Sequence, residues 1–208
     1  MAPAIPNDIF QFSLHSAYQA GLRDGGPPVG FLANQGTHGI GYFEADEDDE
    51  RPNDMIQLDG ITYTLDKDGD ADRAEKDDQL PFVMVTVFQP TERVKPPVST
   101  TSKKLKELFE QGKNTPIAFR IQGKFKYINT EQQTYWDVTG SIFGYCIPAW
   151  QEAASGEGLQ SCFLHESKKT GGRVVDFETG DGAILNWTKC GRLHLGFPKD
   201  DEFDELKL

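Results

Sequence analysis

The chain predicts a β-dominated α+β protein with mixed or antiparallel sheets and few helices, and three observations carry that class. Short runs of alternating or continuously apolar residues recur from end to end of the 208 residues. An Asp59-Gly60 pair separates two of these runs as a two-residue hairpin turn does. Only residues 100–113 hold apolar side chains at helical spacing over several turns.

In chain order, DIFQFSL alternates like a short strand and leads into HSAYQAGLRDGG, a short helix ending at Gly25-Gly26. Pro27-Pro28 then forces a break. HGIGYFEA (38–45) reads as a strand entered through glycines, and MIQLDGITYTL (55–65) as a hairpin. LPFVMVTVFQP (80–90) is apolar almost throughout, which places it centrally in a sheet with both faces covered. TTSKKLKELFEQGK sets Leu105, Leu108 and Phe109 on one helical face and closes at Gly112. Strands follow: IAFRIQGKFKYI (117–128) with a turn at Gln122-Gly123, then TYWDVTGSIFGYCI, LQSCFLHE, GRVVDFE, AILNWTK and CGRLHLGF. No repeat period appears.

A chain of this length buries a substantial core without a disulfide or a metal, and one compact domain is the expectation. The formal charge of −12 argues against nucleic acid and anionic membranes as partners, since both require clustered Lys and Arg. Much of the acid lies in EADEDDER (44–51) and DKDGDADRAEKDD (66–78), read as solvated loops. No stretch reaches the length of a membrane helix and the N-terminus lacks a signal pattern, so the expected location is cytoplasmic. Cys146, Cys162 and Cys190 form no CxxC pair and read as reduced thiols.

Familiar site motifs are missing. Asp66, Asp68, Asp70 and Asp72 alternate as at the start of a calcium loop, but Ala71 stands where glycine is needed and Asp77 where the closing glutamate belongs. There is no nucleophile elbow, phosphate loop, dinucleotide fingerprint or HExxH. His15, His38, His165 and His194 never fall at i, i+2 or i, i+4, so the sequence offers no local imidazole cluster. Within GLQSCFLHESKKTGGRVVDFE, strand alternation puts Gln160 and Cys162 on one face and Ser161, Phe163 and His165 on the other.

Assembled in order, FQFSLHSAYQAGLRDG, HGIGYFEA, DMIQLDGITYTLDKDG, LPFVMVTVF, KKLKELFEQ, AFRIQGKFKYI and TGGRVVDFE resemble acetolactate decarboxylase from residue 9 to about 205. The resemblance implies a two-part, mainly β subunit, with an N-terminal sheet part over about 9–115 and a C-terminal one over about 116–205, often dimeric. It also implies a substrate-chelated zinc ion and conversion of acetolactate to acetoin and carbon dioxide.

This chain departs from that pattern at the metal. The two zinc histidines of the resemblance, placed as His-x-His before the glycine pair, align with Gln160 and Cys162, and the third, after the pair, aligns with Arg173. A guanidinium has only donors and cannot ligate. The family's glutamate before Met-Ile is Asp54 here, and its arginine after the KYI-like strand aligns with Glu131, so an Arg173–Glu131 ion pair is one expected result of the exchange.

The favoured expectation is an enzyme on the same scaffold with no cofactor, acting on a small keto or carboxylate compound by isomerisation, cyclisation, dehydration or decarboxylation. Cys162, Asp54 or Glu131 would move protons and Arg173 would face a carboxylate or enolate; Gln160, Arg173 and Arg120 would bind substrate. Cys162 also reads as a small buried hydrophobe. Two alternatives stay open: acetolactate decarboxylation with a rearranged metal site, and noncatalytic binding of a small acid or a protein.

Overall fold

A computed structural model describes residues 5–45, 53–94, 99–109 and 114–208. Two sheets face each other. The first has strand order β13-β1-β6-β2-β3-β4-β5, built from β1 (Ile9–Phe12), β2 (His38–Tyr42), β3 (Asp54–Leu58), β4 (Ile61–Leu65), β5 (Ala71–Arg73), β6 (Phe82–Thr86) and β13 (Leu193–Gly196). The second runs β11-β10-β9-β8-β12-β7, from β7 (Glu92–Val94), β8 (Ile117–Thr130), β9 (Thr134–Ile147), β10 (Gly158–His165), β11 (Gly171–Thr179) and β12 (Ile184–Lys189). β1 and β13 pair in parallel, whereas β1 and β6 are antiparallel, so the first sheet is mixed. Two strands cross the sequence division near residue 115: β13 returns to the first sheet and β7 joins the second.

The strongest local signals hold. Asp59 and Gly60, at φ 54° and 79°, form the two-residue turn between β3 and β4, a conformation that glycine and aspartate tolerate best. β6 is buried at every position and lies between β1 and β2. The amphipathic helix α3 spans Ser102–Phe109 and buries Leu105 and Phe109; the expected closure at Gly112 lies outside the described residues. α1 (His15–Gln19) follows β1 as expected but ends at Ala20, short of the expected Gly25-Gly26; the other described α-helices are the short α2 (Val29–Leu32), α4 (Glu152–Ser155) and α5 (Asp201–Glu205).

One expectation is corrected. Residues 117–130 form a single strand rather than two joined by a turn at Gln122-Gly123. β8 pairs with β9 along its length while its other edge changes partner, from β12 up to Gln122 to β11 from Phe125 onward. Gly123 sits at the change with φ 140°, where a Cβ would come within 2.8 Å of Ala183 Cα. The glycine therefore marks a close backbone approach inside a strand. Because β11 pairs with both β10 and β8, the four strands β8–β11 close on themselves around Phe125, Ile128, Ile142, Phe163 and Phe177.

A second core fills the space between the two sheets, with Ile40, Ile56, Leu58, Phe82 and Met84 facing Ala118, Phe143, Tyr145, Cys162 and Leu164. Burial at these positions supplies the main drive that holds the sheets together. Phe163 belongs to the closed four-strand core and Cys162 to the inter-sheet core, so the strand alternation expected over 158–165 holds. The acidic stretch 66–78, expected to be loop throughout, begins as a tight loop in which Asp66 Oδ1 accepts from the amides of Asp68 and Asp70 but then forms β5 at Ala71–Arg73. Most of the first acidic run, residues 46–51, lies outside the described residues.

Candidate active site between the sheets

Two cross-strand pairs, one from each sheet, meet face to face. Tyr42 and Asp54 are direct partners across β2 and β3, so their side chains leave the first sheet from one face. Cys162 and Arg173 are direct partners across β10 and β11 and leave the second sheet toward them. Arg173 Nε donates to Asp54 Oδ1 at 2.6 Å and Nη2 donates to the carbonyl of Gly41 at 3.2 Å. The guanidinium carbon also lies 4.2 Å from the centre of the Tyr42 ring. Only 13% of the Arg173 side chain and 4% of that of Asp54 are exposed, so the pair is removed from bulk water.

Burial works against the charge on Arg173, but the neighbouring Asp54, Tyr42 and Cys162 outweigh it and hold the guanidinium above its ordinary range. A permanent cation therefore stands in the inter-sheet space. Burial pushes the Cys162 thiol up to about 12, with Arg173 opposing the shift, and the residue has no exposed surface. A thiol in that state is neutral at physiological pH and packs as a small apolar group, which is the second of the two readings of Cys162 and leaves no thiolate to act as nucleophile or base.

The other expected residues are distributed unevenly. Glu131 directly follows β8, and its main-chain N–H donates to the Arg173 carbonyl at 3.0 Å. Its charge is felt at both Cys162 and Tyr42. Arg173 forms a side-chain ion pair with Asp54. Gln160 shares the face of Cys162, but its amide nitrogen donates to the Ser155 carbonyl at 2.6 Å and secures the end of α4. Arg120 does not join the site. It donates to Asp59 at 2.8 Å and to Ser141 at 3.3 Å, at the far end of β3 from Asp54, a strand length of roughly 17 Å. Expected from sequence to bind substrate, Arg120 stands apart from the Arg173–Asp54 pair.

Four residues beside the site were not expected from sequence. Tyr42 accepts Arg173 on one ring face and stacks with Tyr18 of α1 at 4.1 Å between centroids and 6° between planes. Arg23 lies 5.9 Å from the Tyr18 ring. His15, at the start of α1, packs against Tyr42 and Phe82, and burial together with the Arg173 charge lowers its pKa. His15 also lines a cleft of about 430 Å³ between α1 and α4 with Ser16, Gln19, Gly156 and Glu157. The signal for Tyr42 was present: Ile40 and Tyr42 alternate on the face that packs inward. Tyr18 and His15 lie on a helix too short to show periodicity.

The sequence profile of the alpha-acetolactate decarboxylase family matches residues 9–135 and 129–208. The chain belongs to that family. It is similar to the alpha-acetolactate decarboxylase of Klebsiella aerogenes, 25% identical over 96% of this chain and 84% of the relative. The enzyme of Methanosarcina mazei is 26% identical over 100% of this chain and 80% of its own. The crystal structure of acetolactate decarboxylase from Bacillus subtilis subspecies spizizenii superposes with a TM-score of 0.87, at 24% identity, covering 96% of this chain and 94% of that one. A Staphylococcus aureus protein of unknown function, described as similar to alpha-acetolactate decarboxylase, shares the fold with a TM-score of 0.84 and 20% identity over 96% and 94% of the two chains.

The residues at the positions that the resemblance assigns to zinc do not fit a zinc ion. Gln160 has its amide nitrogen committed to Ser155, Cys162 is the single soft ligand of the three, and Arg173 is itself a cation paired with Asp54. Among the described residues, no group of three or more His, Cys, Asp or Glu side chains gathers so as to hold a metal ion. Also among them, no helix is long and apolar enough to cross a membrane.

Proposed function

We propose that this chain is a decarboxylase-like enzyme acting on a small keto acid, in which the Arg173 guanidinium supplies the positive charge at the reacting centre. The observation that carries the reading is the Arg173–Asp54 pair at 2.6 Å, buried between the sheets where the resemblance puts a metal. Loss of carbon dioxide from a 3-keto acid breaks the bond between the carboxyl carbon and its neighbour. The electron pair moves toward the keto oxygen as an enolate, and a proton then adds to carbon. A fixed cation in a site shielded from water stabilises that developing oxyanion and needs no reorganisation when the charge appears.

Each neighbour has a role in this reading. Asp54 and the Gly41 carbonyl hold two edges of the guanidinium and fix its orientation between the sheets. Asp54 is thus a positioning residue. Glu131, exposed beside the strand of Arg173, relays the proton between solvent and the site. Cys162 fills space beneath the guanidinium. No cofactor takes part, and the protein runs this chemistry in the cytoplasm as a homodimer.

The test is acetoin and carbon dioxide formation from acetolactate by protein purified without chelator, before and after dialysis against one, with metal analysis of both samples. Turnover that survives dialysis and disappears in Arg173→Met supports the reading. Zinc at one per chain whose removal ends turnover returns the chain to a metal mechanism. Binding of keto acids with no turnover of acetolactate or related 3-keto acids makes it a binder.

A further inference from the structure

Arg173 reaches across from the second sheet, and the groups that meet it come from one corner of the first. Gly41 and Tyr42 are adjacent on β2, and Tyr42 is the direct cross-strand partner of Asp54 on β3. β2 lies between β3 and β6, so its backbone is fixed along both edges. The bonds from Nε to Asp54 and from Nη2 to the Gly41 carbonyl hold two points of the guanidinium. Two points define an axis, and a planar group held at two points can still pivot about it. The Tyr42 ring supplies the third contact, with the guanidinium carbon over it at 4.2 Å from the ring centre. That ring cannot recede: Tyr18 stacks on its other face at 4.1 Å and 6°, and Phe82 and His15 pack around it.

We infer that Tyr42 is a positioning residue of this site, its ring face, backed by Tyr18, holding the Arg173 guanidinium in the one orientation in which it meets the developing enolate. This rests on the function proposed above and adds to Asp54 and Gly41 the contact that stops the pivot. A ring face suits the task because it attracts a cation without cancelling its charge, as a carboxylate in its place would. Tyr42 stays neutral for this role: burial raises its phenol, with Arg173 opposing the shift and Asp54, Cys162 and Glu131 adding to it. The hydroxyl has no part in the contact, so the ring alone is what the site requires.

The experiment compares Tyr42→Phe, which keeps the ring, with Tyr42→Leu, which removes it, each assayed at a temperature where it is folded. With acetolactate, Tyr42→Leu should lower kcat about 10²-fold with KM little changed, as a misplaced charge-stabilising group does. Tyr42→Phe should restore the rate to near that of the parent. A second readout follows the guanidinium itself, by nitrogen NMR of protein labelled with ¹⁵N-arginine, the Arg173 signals being those lost in Arg173→Met. Restricted rotation should keep its two Nη signals apart in the parent and in Tyr42→Phe, and they should merge in Tyr42→Leu. Signals that stay apart in Tyr42→Leu overturn the inference, because a ring that only fills space would leave them so. An unchanged rate in Tyr42→Leu, or an equal loss in Tyr42→Phe, also overturns it and leaves the role of Arg173 standing. A parent without turnover, or with turnover that needs zinc, overturns the proposed function and this inference with it.

Discussion

Arg173→Met removes the cation of the site while keeping much of the side-chain volume, and the geometry sets what it should cost. Asp54 has 4% of its side chain exposed, so deleting Arg173 takes the counter-charge of the pair away from a carboxylate buried between two sheets. Breaking a buried pair from one side typically costs about 3–5 kcal/mol, most of it the penalty on the charge left behind. The lost bond to the Gly41 carbonyl and the lost contact with the Tyr42 ring act in the same direction. For a chain of this size each kcal/mol moves the thermal midpoint by about 2–4 °C, so the midpoint should drop by roughly 6–20 °C. Urea denaturation of four proteins tests the cause: parent, Arg173→Met, Asp54→Asn and the double variant. Removing both charges should recover much of the loss, because the stranded anion is then gone. A loss in Arg173→Met no larger than the ~1 kcal/mol of a surface pair would refute the buried-pair reasoning, as would a double variant whose loss is the sum of the singles.

Two further predictions concern groups away from the substrate. Burial, with the Arg120 charge adding to it and Asp59 partly offsetting it, lowers His38 to about 4 from the ordinary 6.5. The unfolded chain therefore binds a proton that the folded chain refuses between those values. Stability from this residue is complete above pH 6.5 and falls as the pH drops toward 4, by up to about 1.4 kcal/mol per pH unit. His38→Gln should show a shallower decline than the parent in denaturation series over this window; parallel curves would remove His38 as the cause. The second concerns thiol labelling. Burial pushes Cys162 and Cys190 up to about 12, whereas Cys146 is partly exposed. Iodoacetamide at mildly alkaline pH should label Cys146 alone in the native protein and all three thiols in urea, as read by peptide mass analysis. Fast native labelling of Cys162 would show that the inter-sheet space opens readily.

Most strands were legible because each depends on near neighbours in the chain; β5, inside a run read as loop, and β7 were not. Asp59-Gly60 names its own turn, the apolar run in β6 announces burial on both faces, and Leu105 and Phe109 mark the buried side of α3. The turn expected at Gly123 fails for a different reason: glycine serves both turns and close approaches, and whether Ala183 presses on the strand there depends on a contact sixty residues away. The site shows the same limit. Arg173, Cys162 and Asp54 could be singled out by their departure from the family pattern, and alternation correctly separated Cys162 from Phe163. That Arg173 meets Asp54, 119 residues earlier, depends on how the two sheets face each other, which no local pattern encodes. The same facing decides that Arg120 belongs with Asp59, and that Tyr18 and Tyr42 stack beside the guanidinium.

The measurement that bears most directly on the central claim is the rate of carbon dioxide release from acetolactate, taken alongside zinc content before and after exhaustive dialysis against a chelator. A site run by the Arg173 guanidinium predicts zinc far below one per chain, an unchanged rate after dialysis, and loss of the rate in Arg173→Met at a temperature where that variant remains folded. Stoichiometric zinc, with turnover that vanishes on its removal and returns on its addition, would contradict it.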